Sequence, residues 1–202
     1  MHELSKNPRS TRFIRTDQAK NMLAAYSHAD KIECPLNTHV TIHWAGTVDM
    51  AARVTDRIQH LIEKLRHWLH RRNVEVCHVW TQEPSKRRFE NSGVPHLHML
   101  IHIPPKHRSD FKEQIPKWIG GVLDDRAFKI ENFEARTWRW QNYLLKGVNP
   151  KTRDEILQKL SGHKKAREAR GPVDGKRCGI SQNTLGPAAR AKWEQQQLNR
   201  TA

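Results

Sequence analysis

Cysteine is scarce in this 202-residue chain: three residues, Cys34, Cys77 and Cys178, odd in number and outside any CxxC spacing. That distribution excludes a disulfide framework and a cysteine-based zinc site, and free thiols are expected. Long apolar runs are missing too. No stretch approaches the roughly 18 consecutive apolar residues of a membrane span, and the start, Met1-His2-Glu3-Leu4-Ser5-Lys6, lacks the apolar centre of a signal peptide. A soluble, cytoplasmic protein is expected. Acid is in short supply: 21 Asp and Glu stand against 36 Lys and Arg, a net charge of +15. Solubility alone does not require so much positive charge, which implies a polyanionic partner. DNA, RNA and anionic lipid all reward Lys and Arg through the same counterion physics, but neither terminus carries a basic amphipathic anchor, so no membrane partner is expected. Hydrophobic residues reach only 36 %, yet seven Trp and clear apolar periodicity exclude full disorder.

One domain of ordinary size is expected, with boundaries at 1–37 (a lead-in segment), 38–149 (the main domain) and 150–202 (a basic extension). In the lead-in, Asp17 is a candidate N-cap for a short helix running to Ala25. Thr38 to Trp44 alternates Val40, Ile42 and Trp44 with His39, Thr41 and His43, the period-2 signature of a half-buried strand. From Met50 to Arg72, Val54, Ile58, Leu61, Ile62, Leu65, Trp68 and Leu69 recur at the spacing of one helical face. Val74–Gln82 and Pro95–Ile103 read as strands two and three around a charged loop from Ser85 to Gly93. A helix follows from Ser109, kinked at Pro116 and stopped at Gly120-Gly121. Ala127–Glu134 is a fourth strand, and Thr137–Lys146 a last short helix. Strand, helix, strand, strand, helix, strand is the ferredoxin-like βαββαβ plan, an α+β fold with both helices on one face of an antiparallel sheet and the other face open to a ligand. The extension carries twelve Lys or Arg against five acids, a surplus of seven, in Gly- and Pro-bearing chain that ends in a helix from about Ala188 to Leu198.

Strand three holds the densest chemistry. Side chains alternate along Pro95-His96-Leu97-His98-Met99-Leu100-Ile101-His102, so the three His share one face while Leu97, Met99 and Ile101 share the other. Imidazoles at i and i+2 stand on backbone positions roughly 6.6 Å apart and can ligate one metal ion, whereas His102, roughly 13 Å from His98, lines the same face without joining them. A carboxylate would complete the set. Glu83, at the end of strand two, returns in an antiparallel hairpin to the neighbourhood of His96. Glu90, in the loop, and Gln82, should strand parity shift by one, are the alternatives. Two His and one carboxylate also suit zinc, so the ligands do not name the ion. No HExxH helix accompanies them.

Tyr143 is one of only two tyrosines, Tyr26 being the other, and sits in Trp138-Arg139-Trp140-Gln141-Asn142-Tyr143-Leu144-Leu145-Lys146. On a helix Arg139, Tyr143 and Lys146 share a face. A phenol with an ordinary pKa near 10 attacks at neutral pH only when nearby cations favour the phenolate or a base removes its proton. Lys146 could do the former and also hold a scissile phosphate.

Pro95-His96-Leu97-His98, the upstream Glu83 and Tyr143-Leu144-Leu145-Lys146 together resemble the motifs of the HUH endonuclease superfamily, specifically its single-tyrosine Rep branch of rolling-circle replication initiators. The resemblance covers roughly residues 38–147. It implies an active site on the open face of the sheet, with a divalent Mg or Mn ion held by His96, His98 and an acid. It also implies a site- and strand-specific nickase acting on single-stranded DNA of a plasmid or phage. Tyr143 would attack phosphorus with help from Lys146, leaving a 5′-phosphotyrosine and a free 3′-hydroxyl, and no nucleotide would be needed. Candidate DNA contacts are Arg139, His102, Thr41, His43, Lys164, Lys165, Lys176 and Arg177. The span from Glu83 to the histidines is longer than in compact viral Reps, and no GxxxxGK[ST] loop occurs. Unwinding would therefore fall to another protein, a host helicase. A relaxase or single-strand transposase would use the same chemistry, a non-catalytic RNA-recognition-like module the same fold, and a His/Glu zinc hydrolase the same ligands.

Overall fold

The computed structural model describes residues 10–48, 53–84, 94–134, 145, 147–149, 156 and 171–201. The chain enters through a two-residue strand, β1 (Ser10–Thr11), and helix α1 (Thr16–Lys31). The Gln18 side chain accepts the Arg15 N–H at 3.0 Å, and Asp17 puts negative charge in the first turn, where the helix dipole favours it. Strand β2 (Thr38–His43) leads to helix α2 (Val54–His70), which stops where Asn73 takes a left-handed φ of 52° and the Val74 N–H returns to the Leu69 carbonyl at 3.1 Å. Strands β3 (His78–Glu83) and β4 (His96–Ile101), helix α3 (Arg108–Trp118) and strand β5 (Phe128–Asn132) follow. Pro116 sits in the last turn of α3, where one missing backbone donor costs least continuity. Near the C-terminus come β6 (Val173–Asp174), β7 (Cys178–Ile180), α4 (Gln182–Leu185) and α5 (Pro187–Thr201). Of the expected helix over 137–146 only Leu145 is among the described residues, where it lies in a turn.

The architecture is α+β around a five-stranded antiparallel sheet in the order β5-β2-β4-β3-β7, with β4 in the middle, while β1 and β6 form a separate two-stranded ribbon. Alternation sorts the strand residues onto two faces. Val40, Ile42, Leu97, Met99 and Ile101 bury against Ile58, Leu61, Leu65 and Trp68 of α2 and Phe111 and Ile115 of α3. Each such aliphatic side chain withdrawn from water contributes about 1.5–3 kcal/mol, so the α2 stripe is what fixes the sheet's orientation.

The opposite face corrects an expectation. It is not open along its length: Ala19, Met22, Ala25, Tyr26 and Ala29 of α1 join Val79, Leu100, Cys178 and Ile180 in a second buried cluster. The cause lies in the lead-in segment, whose small and apolar residues recur at helical spacing and need an apolar partner. The expected C-terminal extension also contributes to the sheet, because β7 pairs with β3 through Val79↔Ile180, Trp80↔Gly179 and Thr81↔Cys178. Among the described residues no helix is long and apolar enough to cross a membrane.

Candidate metal centre

Cross-strand pairing assembles the site. Directly opposite residues of antiparallel strands share a face, so the pairs His43↔His96 and Glu83↔His96 place a histidine and a carboxylate on either side of His96. The next row on that face holds Thr41, His98 and Thr81, and the one beyond it His39, Leu100 and Val79. Polar rows thus occupy the end of the sheet near Glu83, and in the next row Leu100 and Val79 join the cluster with α1.

Glu83, His96 and His98 converge. Glu83 Oε2 lies 3.2 Å from His96 Nε2 and 3.5 Å from His98 Nε2, so both imidazoles present the same ring nitrogen to one carboxylate oxygen. One ligand atom from each residue lies within 4.8 Å of the others, close enough for a single metal ion. All three are buried, at 5 %, 8 % and 3 % exposure respectively. Such burial costs a carboxylate dearly unless it is paired or ligated, and two neutral imidazoles with one carboxylate form a donor set suited to a divalent cation. The residues therefore fit a metal ion. The donor set does not choose among Mg, Mn and Zn.

Of the alternatives for the third ligand, Gln82 points to the other side, where its Nε2 donates to the Lys176 carbonyl at 2.6 Å. Glu90 lies outside the described residues. Thr41, expected at the DNA, places its hydroxyl 3.2 Å from His98 Nδ1. His43 is half-buried with its ring 5.1 Å from that of His96. Burial and, second, the neighbouring His96 lower its pKa, against a smaller opposing pull from Asp124. His39, not among the candidate site residues, stacks on His98 at 5.4 Å with a 16° interplanar angle and reaches Glu131 at 3.5 Å. The period-2 pattern of 38–44 had put His39 on this face, but spacing within one strand carries no cross-strand distance.

Two expected DNA contacts are corrected. His102 does not line the site: it follows the end of β4 at the far end of the sheet, where its Nδ1 meets the Pro35 carbonyl at 2.8 Å and burial lowers its pKa. Arg177 is 2 % exposed, its guanidinium donating to the Gly171 carbonyl at 3.0 Å, the Thr11 carbonyl at 3.3 Å and the Arg12 carbonyl. It ties β7 to the N-terminal ribbon rather than facing solvent phosphate. Burial lowers its pKa, and the nearby Glu83 charge partly restores it. Lys176 is exposed. Tyr143, Lys146, Arg139, Lys164 and Lys165 lie outside the described residues.

Comparison with family models, with curated proteins and with solved structures found no match.

Proposed function

We propose that the protein is a metal-dependent nickase and strand transferase acting on single-stranded DNA, with His96, His98 and Glu83 holding a divalent Mg or Mn ion and Tyr143 as nucleophile. The observation that carries this reading is the convergence of two imidazole Nε2 atoms on one buried carboxylate oxygen. Three further observations support it. The order β5-β2-β4-β3 suits a ferredoxin-like core to which β7 adds an edge strand. Leu145, two residues beyond Tyr143, is buried in the cluster that also contains Leu100 and Val79, on the imidazole side of the sheet. The net charge of +15 suits a polyanionic substrate.

A divalent cation bound there supplies Lewis-acid charge for a non-bridging oxygen of the scissile phosphate. The protein's own residues do the rest. The phenol oxygen of Tyr143 forms a bond to phosphorus as the bond from phosphorus to the 3′-oxygen breaks. The phenol proton is lost, and the 3′-oxygen leaves as a hydroxyl. Lys146 favours the phenolate and the phosphate charge. Because the phosphotyrosine conserves the ester, a 3′-hydroxyl can reverse the step, so the same residues cut and rejoin. Replication initiation is the role the motif order favours, without a nucleotide cofactor and with unwinding left to a host helicase.

The test is incubation of the protein with a library of single-stranded oligonucleotides and Mn, followed by denaturing electrophoresis. A covalent adduct lost in Tyr143→Phe and retained in Tyr26→Phe supports the reading. An adduct unchanged in Tyr143→Phe removes the nucleophile, and oligonucleotide hydrolysis indifferent to Tyr143 would instead indicate a His/Glu zinc hydrolase.

A further inference from the structure

We propose that Thr41 is a positioning residue for the metal centre, holding the His98 ring in the orientation that aims its Nε2 at the ion; this rests on the metal-binding reading above and goes beyond it. A neutral imidazole carries its proton on one nitrogen only, and the nitrogen that ligates a metal must be bare. His98 Nε2 faces Glu83 Oε2 at 3.5 Å, and its other nitrogen, Nδ1, lies 3.2 Å from the Thr41 hydroxyl. When that hydroxyl accepts the Nδ1–H, the Nε2 lone pair is left for the ion.

The arrangement follows from the register. Thr41 is the direct partner of His98 across the β2–β4 pair, so its side chain stands on the same face with no loop intervening. Threonine is stiff about χ1, and Thr41 is only 9 % exposed, so the hydroxyl is held where the ring needs it. The face of the ring is fixed separately by the stacked His39 at 5.4 Å. A half-turn of the imidazole about its bond to Cβ would exchange Nδ1 for a carbon and forfeit the Thr41 contact. Stacking from His39 limits tilt but does not distinguish the two flips, whereas the flip that forfeits the Thr41 contact also carries Nε2 away from Glu83, so Thr41 holds the ring in the orientation the metal side needs.

Second-layer partners of this kind typically contribute about ten- to a hundred-fold to metal affinity. Thr41→Val removes the hydroxyl and keeps the shape, Thr41→Ser keeps the hydroxyl, and Thr41→Ala repeats the removal in a smaller side chain should the valine variant fail to fold. Two readouts are taken on the full chain. The first is the imidazole ¹H–¹⁵N spectrum of the Zn-loaded protein at pH 8, read for the His98 Nδ1–H and its exchange with water, with the His98 resonances identified by their loss in His98→Asn. The second is Mn binding followed by electron paramagnetic resonance. The expected result is a slowly exchanging His98 Nδ1–H in wild type and Thr41→Ser, its rapid exchange with water in Thr41→Val and Thr41→Ala, and Mn binding weakened about ten- to a hundred-fold in those two variants only. Wild-type Nδ1–H exchange and wild-type Mn affinity in Thr41→Val and Thr41→Ala would overturn the proposal and leave the metal-centre reading standing. Failure of the wild-type chain to bind Mn or Zn would instead defeat the metal-centre reading, and this proposal with it.

Discussion

His78 should make this fold acid-sensitive, and by an amount that can be worked out. It opens β3, is 3 % exposed, and its Nδ1 meets no hydrogen-bond partner among the described residues. Desolvation of the charged ring brings its pKa down from the ordinary 6.5 to about 4. In the unfolded chain the ring regains its ordinary value. Below about 6.5 the unfolded state therefore takes up a proton that the native state refuses until about pH 4, and stability falls through that window as pH drops. At about 1.4 kcal/mol per pH unit the full loss from this one group is about 3 kcal/mol. Replacing His78 by Leu removes the titrating ring but leaves the backbone bonds to Ser181, N–H to Oγ at 3.1 Å and carbonyl from N–H at 3.0 Å, in place. At pH 7 an apolar group replaces a buried polar one that lacks a full set of partners, so the stability difference there should lie within about 1 kcal/mol. Urea unfolding from pH 7.5 to 4 measures the difference curve, in which other titrating groups cancel. The variant should gain about 3 kcal/mol on wild type across that range. Parallel curves would refute the claim that His78 is held neutral by burial.

Two further predictions concern how the C-terminal region joins the sheet. Arg177→Met strips the donors from the Thr11, Arg12 and Gly171 carbonyls and should cost about 2–4 kcal/mol in denaturant unfolding, with hydrogen-exchange protection lost in the β1–β6 ribbon first; uniform loss of protection would contradict this localised role. At Gly179 an added Cβ would lie 2.6 Å from Trp80 Nε1 and 2.7 Å from Cε2, so Gly179→Val must displace the indole and should cost about 1–3 kcal/mol with a shift in Trp fluorescence; an unchanged spectrum and midpoint would show that the ring does not cover β7.

The parts of this structure that could be read from the chain are those written in local periodicity. The stripe Val54–Leu69 predicted α2, and the alternation of His96 and His98 with Leu97 and Met99 predicted which residues face the helices and which form the site. Glu83 was reachable because a β-hairpin constrains where its strand must return. What escaped is non-local or not periodic. Nothing in Cys178-Gly179-Ile180 announces a sheet strand, since three residues are too few to display a period, and the pairing partner lies about a hundred positions away. The covering of the imidazole face by α1 was hidden because a run rich in Ala fits an exposed helix as well as a packed one. Arg177 departs from its expected place for a simpler reason: a guanidinium in a basic segment is ordinarily solvated, and the convergence of three backbone carbonyls with the nearby Glu83 charge makes its burial tolerable.

Titration of the metal-free chain with Mn, read by electron paramagnetic resonance or calorimetry, tests the central claim most directly. One tight site per chain is predicted, abolished in His96→Ala and His98→Ala and weakened in Glu83→Gln. No binding by the wild-type chain, or binding undiminished when both imidazoles are removed, would contradict it.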